Sequence, residues 1–221
     1  MLCRPKIKRA ANIRNRILRL GHAAIRIARK GIETTEKEIT METNRIIEEL
    51  RAVVALEWNP KQKAFYEQRA ADARPVECVR MRDVFNPGQM EIIREHYKTQ
   101  QKMCYKNASD LVNLIANPIG GLFFPEPIWY VEGFAYCCDL LPIEHAFVKY
   151  GDIYIDPTFE RALHRDVRKE IYASLIELEP LTMIQYQNET GYYGGLYEYH
   201  YLLTNRPELA AKIRARNPHN C

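Results

Sequence analysis

The chain has 221 residues, of which 47% are hydrophobic and 27% are charged, and its formal net charge is +4. This length and composition favour one good-sized globular core and exclude a disordered or fibrous chain. The charge is unevenly distributed. Residues 1–30 hold ten Lys and Arg and no Asp or Glu, whereas the remainder holds 22 basic against 28 acidic residues. A cationic segment therefore precedes a mildly acidic body.

The spacing of cysteines and histidines gives no sign of a metal site. None of the six cysteines forms a Cys-x-x-Cys pair, and the six histidines lack the spacing of zinc ligands. No secretory segment is visible, and no apolar run reaches about 18 residues. We therefore expect a soluble, reduced, cytoplasmic protein without a transmembrane segment.

The first 95 residues are predicted to form a helical, basic N-terminal region. Apolar residues recur there at helical spacing, with polar residues between them. Pro75, Pro87 and Gly88 interrupt the pattern, and Asn86-Pro87 is a typical helix start. The predicted elements are helices near 13–28, 39–54, 61–73 and 87–97, with an irregular segment over 74–88.

Residues 96–221 are predicted to form the main α+β core, with a Tyr-rich C-terminal extension. A helix begins at Cys104, and its apolar residues recur at helical spacing. Aromatic and β-branched residues then predict strands at 129–136, 145–150 and 153–155. The two-residue turn Gly151-Asp152 joins the last two strands as a hairpin.

The C-terminal part allows more than one interpretation. Arg161–Glu177 fits a helix or a mixed segment. Tyr197, Tyr199 and Tyr201 alternate like one face of a strand, and the tyrosines of this stretch could also line an aromatic substrate groove. Asn205-x-Pro207 predicts a short basic terminal helix.

Three chemically compatible residues are Cys104, His145 and Asp156, separated by 41 and 11 positions. Cys104 stands where a helix begins, and the positive end of a helix dipole favours a thiolate. The hairpin brings the ends of its two strands together, which places His145 near Asp156. The three suit a thiol nucleophile, its acid and base, and the group that orients the imidazole. Such chemistry needs no cofactor.

Less specific roles remain open for the same residues. A cysteine is often a small buried hydrophobic residue, and Asp156 can be a turn residue ahead of Pro157.

Four ordered segments lie within about residues 98–160: Cys104-Tyr105-x-Asn107-Ala108, Tyr130-Val131-Glu132-Gly133-Phe134-Ala135, His145-Ala146-Phe147 and Asp156-Pro157-Thr158-Phe159. Together they resemble the transglutaminase-like branch of the papain-like cysteine peptidase superfamily. The resemblance implies a fold in which the Cys104 helix packs on a small antiparallel sheet, and acyl transfer through a thioester. The oxyanion glutamine of that family has no clear counterpart. Gln100, Gln101 or the backbone N–H of Cys104 could take its place.

The favoured function is hydrolysis of a peptide or amide bond in a protein or peptide substrate by a cysteine peptidase. An alternative is deamidation or transamidation of protein glutamine by the same residues. A second alternative is a polyanion-binding or assembly protein with a vestigial triad, because the basic segment could bind nucleic acid through its phosphates. Its candidate contacts are Arg14, Arg19, Arg26, Arg29 and Lys30.

Overall fold

The structure is a computed structural model that describes residues 36–56, 58–117, 124–136 and 142–217. Its helices are α1 Glu36–Val54, α2 Pro60–Asp72, α3 Met81–Val84, α4 Pro87–His96, α5 Cys104–Ala116, α6 Pro180–Thr190, α7 Leu196–Asn205 and α8 Pro207–Arg216. Its strands are β1 Arg74–Val76, β2 Cys78–Val79, β3 Ile128–Tyr136, β4 Pro142–Tyr150, β5 Ile153–Ile155 and β6 Tyr172–Leu178. A π-helical turn, Thr158–Ala162, and a 3₁₀ turn, Val167–Lys169, lie between β5 and β6.

The internal contacts divide the chain into two units, Met1–Ile39 and Thr40–Cys221. Only the start of α1 is described in the first unit, so the following paragraphs concern the second. The predicted helix near 13–28 and the five candidate polyanion contacts lie outside the described residues. The sheet contains strands from both sides of the predicted boundary at residue 95, because β1 and β2 precede it and the other four strands follow it.

In the described ranges, six strands form one mixed sheet in the order β1-β6-β3-β4-β5-β2. Neighbouring strands are antiparallel except β2 and β5, which run parallel. The long strands β3 and β4 pair over their full length at the centre. The α+β class is therefore confirmed.

Helix α5 packs against one face of the sheet. Leu111, Val112 and Ile115 recur on one side of the helix, and all three are buried in the main core cluster. Tyr130 of β3 and Val148 of β4 belong to the same cluster. Burial of each such aliphatic side chain contributes about 2 kcal/mol, so this face fixes where α5, and hence its first residue, lies.

A second buried cluster includes Val131, Phe147, Phe159 and Tyr172 together with Cys78. Because Val131 and Phe147 are directly paired across β3 and β4, their side chains lie on the same face of the sheet. This aromatic cluster surrounds the position at which β4 carries His145, whose ring contacts Phe147 and Phe159.

The pairing of β3 with β6 is interrupted at Gly133, whereas its pairing with β4 is continuous. The β3–β6 register shifts between Glu132 and Gly133. A Cβ atom on Gly133 would lie 1.9 Å from the carbonyl oxygen of Ala173, so only glycine allows this close approach.

The hairpin and most helices were predicted well. The structure confirms β5 at 153–155 and the turn at Gly151, which has φ +59°. It confirms α5 from Cys104 and the start of α4, where Asn86 and Gln89 form a capping box. The terminal helix α8 is confirmed as well.

Three local predictions were wrong or incomplete. The segment 74–88 contains β1, β2 and α3, because elements of two to four residues are too short to show periodicity. The strand β6 begins within the segment 161–177, which was interpreted as helical or mixed, and it was not predicted as a strand. The alternating tyrosines belong to helix α7, where Tyr197 and Tyr199 are both buried because that end of the helix is enclosed. No helix of the described ranges is both long and apolar enough to cross a membrane.

Candidate active site

Cys104 is the first residue of α5, and its side chain is half-buried. The first N–H groups of a helix have no intrahelical partner and carry partial positive charge. In the described part of the chain, no side chain caps this helix end. The thiol therefore lies where backbone N–H groups favour a negative charge.

The start of α5 is tied to its surroundings by the side chain of Asn107, which is 1% exposed. Its Oδ1 accepts from the backbone N–H of Gln100 at 3.0 Å, and its Nδ2 donates to the carbonyl of Gln100 at 2.8 Å. The same Nδ2 donates to Thr158 Oγ1 at 3.0 Å. Asn107 thus joins the segment before Cys104 to the segment after Asp156.

His145 and Asp156 form a buried pair in which Nε2 lies 2.8 Å from Oδ2. Their side chains are 2% and 0% exposed, so water does not separate them. The register explains the contact: Val148 pairs with Ile155, and one further pair would place Asp156 opposite Phe147. Asp156 therefore projects on the same face as His145, as its diagonal neighbour.

Four donors in the described residues hold the Asp156 carboxylate. Oδ1 accepts from the backbone N–H groups of Thr158 at 2.9 Å and Phe159 at 3.0 Å. Oδ2 accepts from the Tyr172 hydroxyl at 3.0 Å in addition to the His145 ring. A buried carboxylate with this many donors has one fixed orientation.

Burial lowers the pKa of His145, but the charge and hydrogen bond of Asp156, followed by the contributions of Cys104, raise that pKa to about 10. Cys104 therefore lies close enough to the ring to affect its charge. Because Nε2 is bonded to Asp156, Nδ1 is the nitrogen that remains for the thiol. At neutral pH the imidazole is cationic and both of its nitrogens donate.

The structure brings His145 and Asp156 into hydrogen-bond contact, as the hairpin predicts, and it places Cys104 near the same ring. Of the two glutamines, Gln101 donates its Nε2 to the carbonyl of Ala162 at 3.4 Å, whereas Gln100 is exposed and its backbone is held by Asn107. Their role as oxyanion donors stays a prediction.

Neither Tyr172 nor Asn107 was predicted to be a site residue. Tyr172 lies on β6, 16 positions after Asp156, and no local pattern connects the two. Asn107 stands in the segment that carries the family resemblance, and its full burial is the property that reveals its role.

The Tyr-rich stretch reaches the site through the turn before α7. A Cβ atom on Gly194 would lie 2.4 Å from the Tyr105 ring, so this turn rests directly on the residue after Cys104. The Tyr130 hydroxyl lies 2.9 Å from the carbonyl oxygen of Tyr193. An aromatic substrate groove in this stretch stays a prediction.

In the ranges that the structure describes, no group of three or more His, Cys, Asp or Glu side chains is placed to hold a metal ion. No family model, no curated protein and no solved structure matches the chain.

Proposed function

We propose that the chain is a thiol-dependent acyl-transfer enzyme, a cysteine peptidase or amide hydrolase that acts on a protein or peptide. One observation carries the proposal: the buried ring of His145 bonds Asp156 through Nε2, and Cys104 at the start of α5 lies near enough to raise the pKa of that ring. A thiol, an imidazole and a carboxylate in this order are the groups that thiol acyl transfer requires.

In the first half of the reaction, the Cys104 thiolate attacks the carbonyl carbon of the substrate and forms a C–S bond. The carbonyl electron pair moves to oxygen, near the N–H groups that begin α5. The His145 imidazolium donates its proton to the leaving nitrogen, the C–N bond breaks, and an amine departs. A thioester on Cys104 and a neutral imidazole remain.

In the second half, His145 takes a proton from water, whose oxygen attacks the thioester carbon. The C–S bond breaks, the acid is released, and the thiolate and imidazolium are restored. Asp156 keeps the imidazole in place in both halves and stabilises its cationic form.

We also propose that α5 and strands β3 to β6 form a transglutaminase-like core of the papain-like superfamily. The helix begins at the cysteine, it packs on antiparallel strands, and the histidine precedes the aspartate across a hairpin. A reactive thiolate also suits a reducing compartment such as the cytoplasm.

A peptide library derived from a digested proteome tests the proposed function. The library is incubated with the full chain and with Cys104→Ala, and products are identified by mass spectrometry. We expect new peptide ends that appear with the unchanged chain alone.

Other outcomes of that experiment are equally informative. Conversion of glutamine to glutamate, or incorporation of an added labelled amine, would replace hydrolysis by the deamidase or transglutaminase alternative. A library that both proteins leave unchanged would count against acyl transfer.

A further inference from the structure

A pocket with a cavity volume of about 70 Å³ is lined in part by neighbours of the candidate site. Two of its lining residues adjoin the site directly. Tyr105 follows Cys104 on α5, and Gly133 lies directly opposite His145 in the β3–β4 pairing. The volume exceeds that of one water molecule several-fold, so the pocket has room for the end of one substrate side chain.

The pocket combines aromatic walls with carboxylates. Its rings are those of Phe65, Tyr105 and Tyr197, and its carboxylates are those of Glu132, Glu144 and Glu198. Rings and carboxylates together suit a cation on an apolar stem, because the stem packs on the rings and the charge is paired.

The wall already holds a cation of this kind. The Arg69 guanidinium lies over the Phe65 ring at 5.4 Å and over the Phe134 ring at 4.9 Å. Its Nη2 donates to Glu144 Oε1 at 2.6 Å. Glu144 is therefore neutralised within the protein.

Glu132 is also engaged, whereas Glu198 is not. The two oxygens of Glu132 accept from the backbone N–H groups of Leu196 at 3.1 Å and Tyr197 at 2.9 Å. Glu198 is exposed and has no hydrogen bond or ion pair to any residue that the structure describes. One carboxylate of the pocket thus remains for a ligand.

The lining holds three glutamates against one arginine, so its formal charge is negative. Burial raises the pKa of the Tyr105 hydroxyl, and the charges of Glu132, Glu144 and Cys104 raise it further, whereas Arg69 lowers it.

We propose that this pocket binds a positively charged side chain, lysine or arginine, on the acyl side of the bond that Cys104 attacks. The aliphatic stem lies against Phe65 and Tyr197, and the cation pairs with Glu198. The proposal rests on the proposed function, since it gives that site a substrate class.

Peptidyl chloromethyl ketones test the pocket without knowledge of the natural substrate. One series carries Lys, norleucine or Glu at the residue that bears the ketone, and a second series carries them at the residue before it. The second-order rate of Cys104 alkylation is measured for each reagent by mass spectrometry on the full chain. In at least one series we expect Lys to exceed norleucine about tenfold, the effect of one charge-assisted contact.

Variants assign that preference to the pocket. The ratio of the Lys rate to the norleucine rate within one variant cancels any change in the thiol itself. Glu198→Gln should bring the ratio to within about threefold of one, and Glu198→Lys should favour Glu over Lys. Glu91→Gln is the matched control, an exposed glutamate on α4 outside the pocket, and should keep the ratio.

The two proposals fail in different ways. If norleucine matches or exceeds Lys in both series, or if Glu198→Gln leaves a Lys preference intact, the pocket proposal is overturned. If none of the reagents alkylates Cys104, the proposed function fails instead.

Discussion

The Asp156 carboxylate accepts hydrogen bonds from three separate parts of the chain. The turn after it supplies two N–H groups, β4 supplies the His145 ring, and β6 supplies the Tyr172 hydroxyl. Because these donors lie on three different elements, the carboxylate is held in place only when the hairpin and β6 are both assembled. The orientation of His145 therefore depends on Tyr172, a residue that takes no direct part in the chemistry.

Tyr172→Phe removes one hydrogen bond to the Asp156 carboxylate and keeps the ring. We expect the free energy of unfolding to fall by about 2 kcal/mol, the usual contribution of a hydrogen bond to a charged group. Alkylation of Cys104 by iodoacetamide should slow several-fold, because His145 is held less firmly. Both quantities are accessible, by urea denaturation and by mass spectrometry.

Tyr154→Phe is the control for Tyr172→Phe. Its hydroxyl donates to Glu177 at 2.5 Å, away from Asp156. The control should lose stability without slower alkylation. Equal alkylation rates in both variants would show that Tyr172 stabilises the fold but does not position His145.

The raised pKa of His145 predicts a stability that depends on pH. A histidine in the unfolded chain has a pKa near 6.5, whereas that of His145 is about 10. Between these values the folded state keeps a proton that the unfolded state releases. The stabilisation is therefore complete below about pH 6.5 and is lost as pH rises toward about 10, at a rate of about 1 kcal/mol per pH unit.

This measurement belongs in a Cys104→Ala background, where the thiol does not titrate. Asp156 still raises the pKa of His145 in this background, without the contribution of Cys104, so the free energy of unfolding should fall as pH rises above about 6.5. The fall should be shallower when His145→Gln is added. The same slope with and without His145 would contradict a cationic imidazole.

Helix α5 is positioned from both of its sides. Its apolar face packs on the sheet, and Asn107 ties its first turn to Gln100 and Thr158. The carbonyl of Asn107 also accepts from the Tyr97 hydroxyl at 2.8 Å. The location of Cys104 is therefore fixed by burial and by a polar network together.

Asn107→Ala breaks the contacts of both side-chain atoms and leaves buried partners unsatisfied. We expect a loss of about 3 kcal/mol in the free energy of unfolding. Amide hydrogen exchange in residues 98–104 should become faster, because the segment before Cys104 loses its tether.

Asn113→Ala is the matched control on the same helix. The buried Oδ1 of Asn113 has no hydrogen-bond partner among the described residues, so its removal should cost less than about 1 kcal/mol. Comparable losses in the two variants would argue against a special role for Asn107.

The elements differ in how far the sequence predicts them. The hairpin from β4 to β5 was predictable because its turn needs a positive φ, which Gly151 supplies, and its strands are aromatic and β-branched. The strand β6 was not, since its pairing with β3 and β1 involves residues far apart in the chain. Tyr172 was missed for the same reason.

The candidate site was likewise predictable only where local sequence signals exist. Local signals placed Cys104 at a helix start and His145 near Asp156. The pocket was not predicted, because α2, α5, β3, β4, β6 and α7 all contribute to its lining. Glu198 and Arg69 lie 129 positions apart, and neither has a local signature.

At the scale of the whole molecule, the chain combines two sequence features that can be tested independently. Binding of a polyanion by the basic segment remains a prediction. A variant in which Arg14, Arg19, Arg26, Arg29 and Lys30 become Gln should lose salt-sensitive binding of an oligonucleotide. It should keep the alkylation rate of Cys104. Undiminished oligonucleotide binding would contradict the role of these five residues.

The reactivity of Cys104 toward limiting iodoacetamide, mapped by mass spectrometry from pH 4 to pH 9, tests the proposed enzyme most directly. Cys78 is an internal reference, since it is 3% exposed and burial raises the pKa of its thiol well above the usual value. We expect rapid alkylation of Cys104 at pH 6, at least about tenfold slower in His145→Ala, while Cys78 reacts only after unfolding. A Cys104 that reacts equally fast with and without His145 would contradict an activated thiolate.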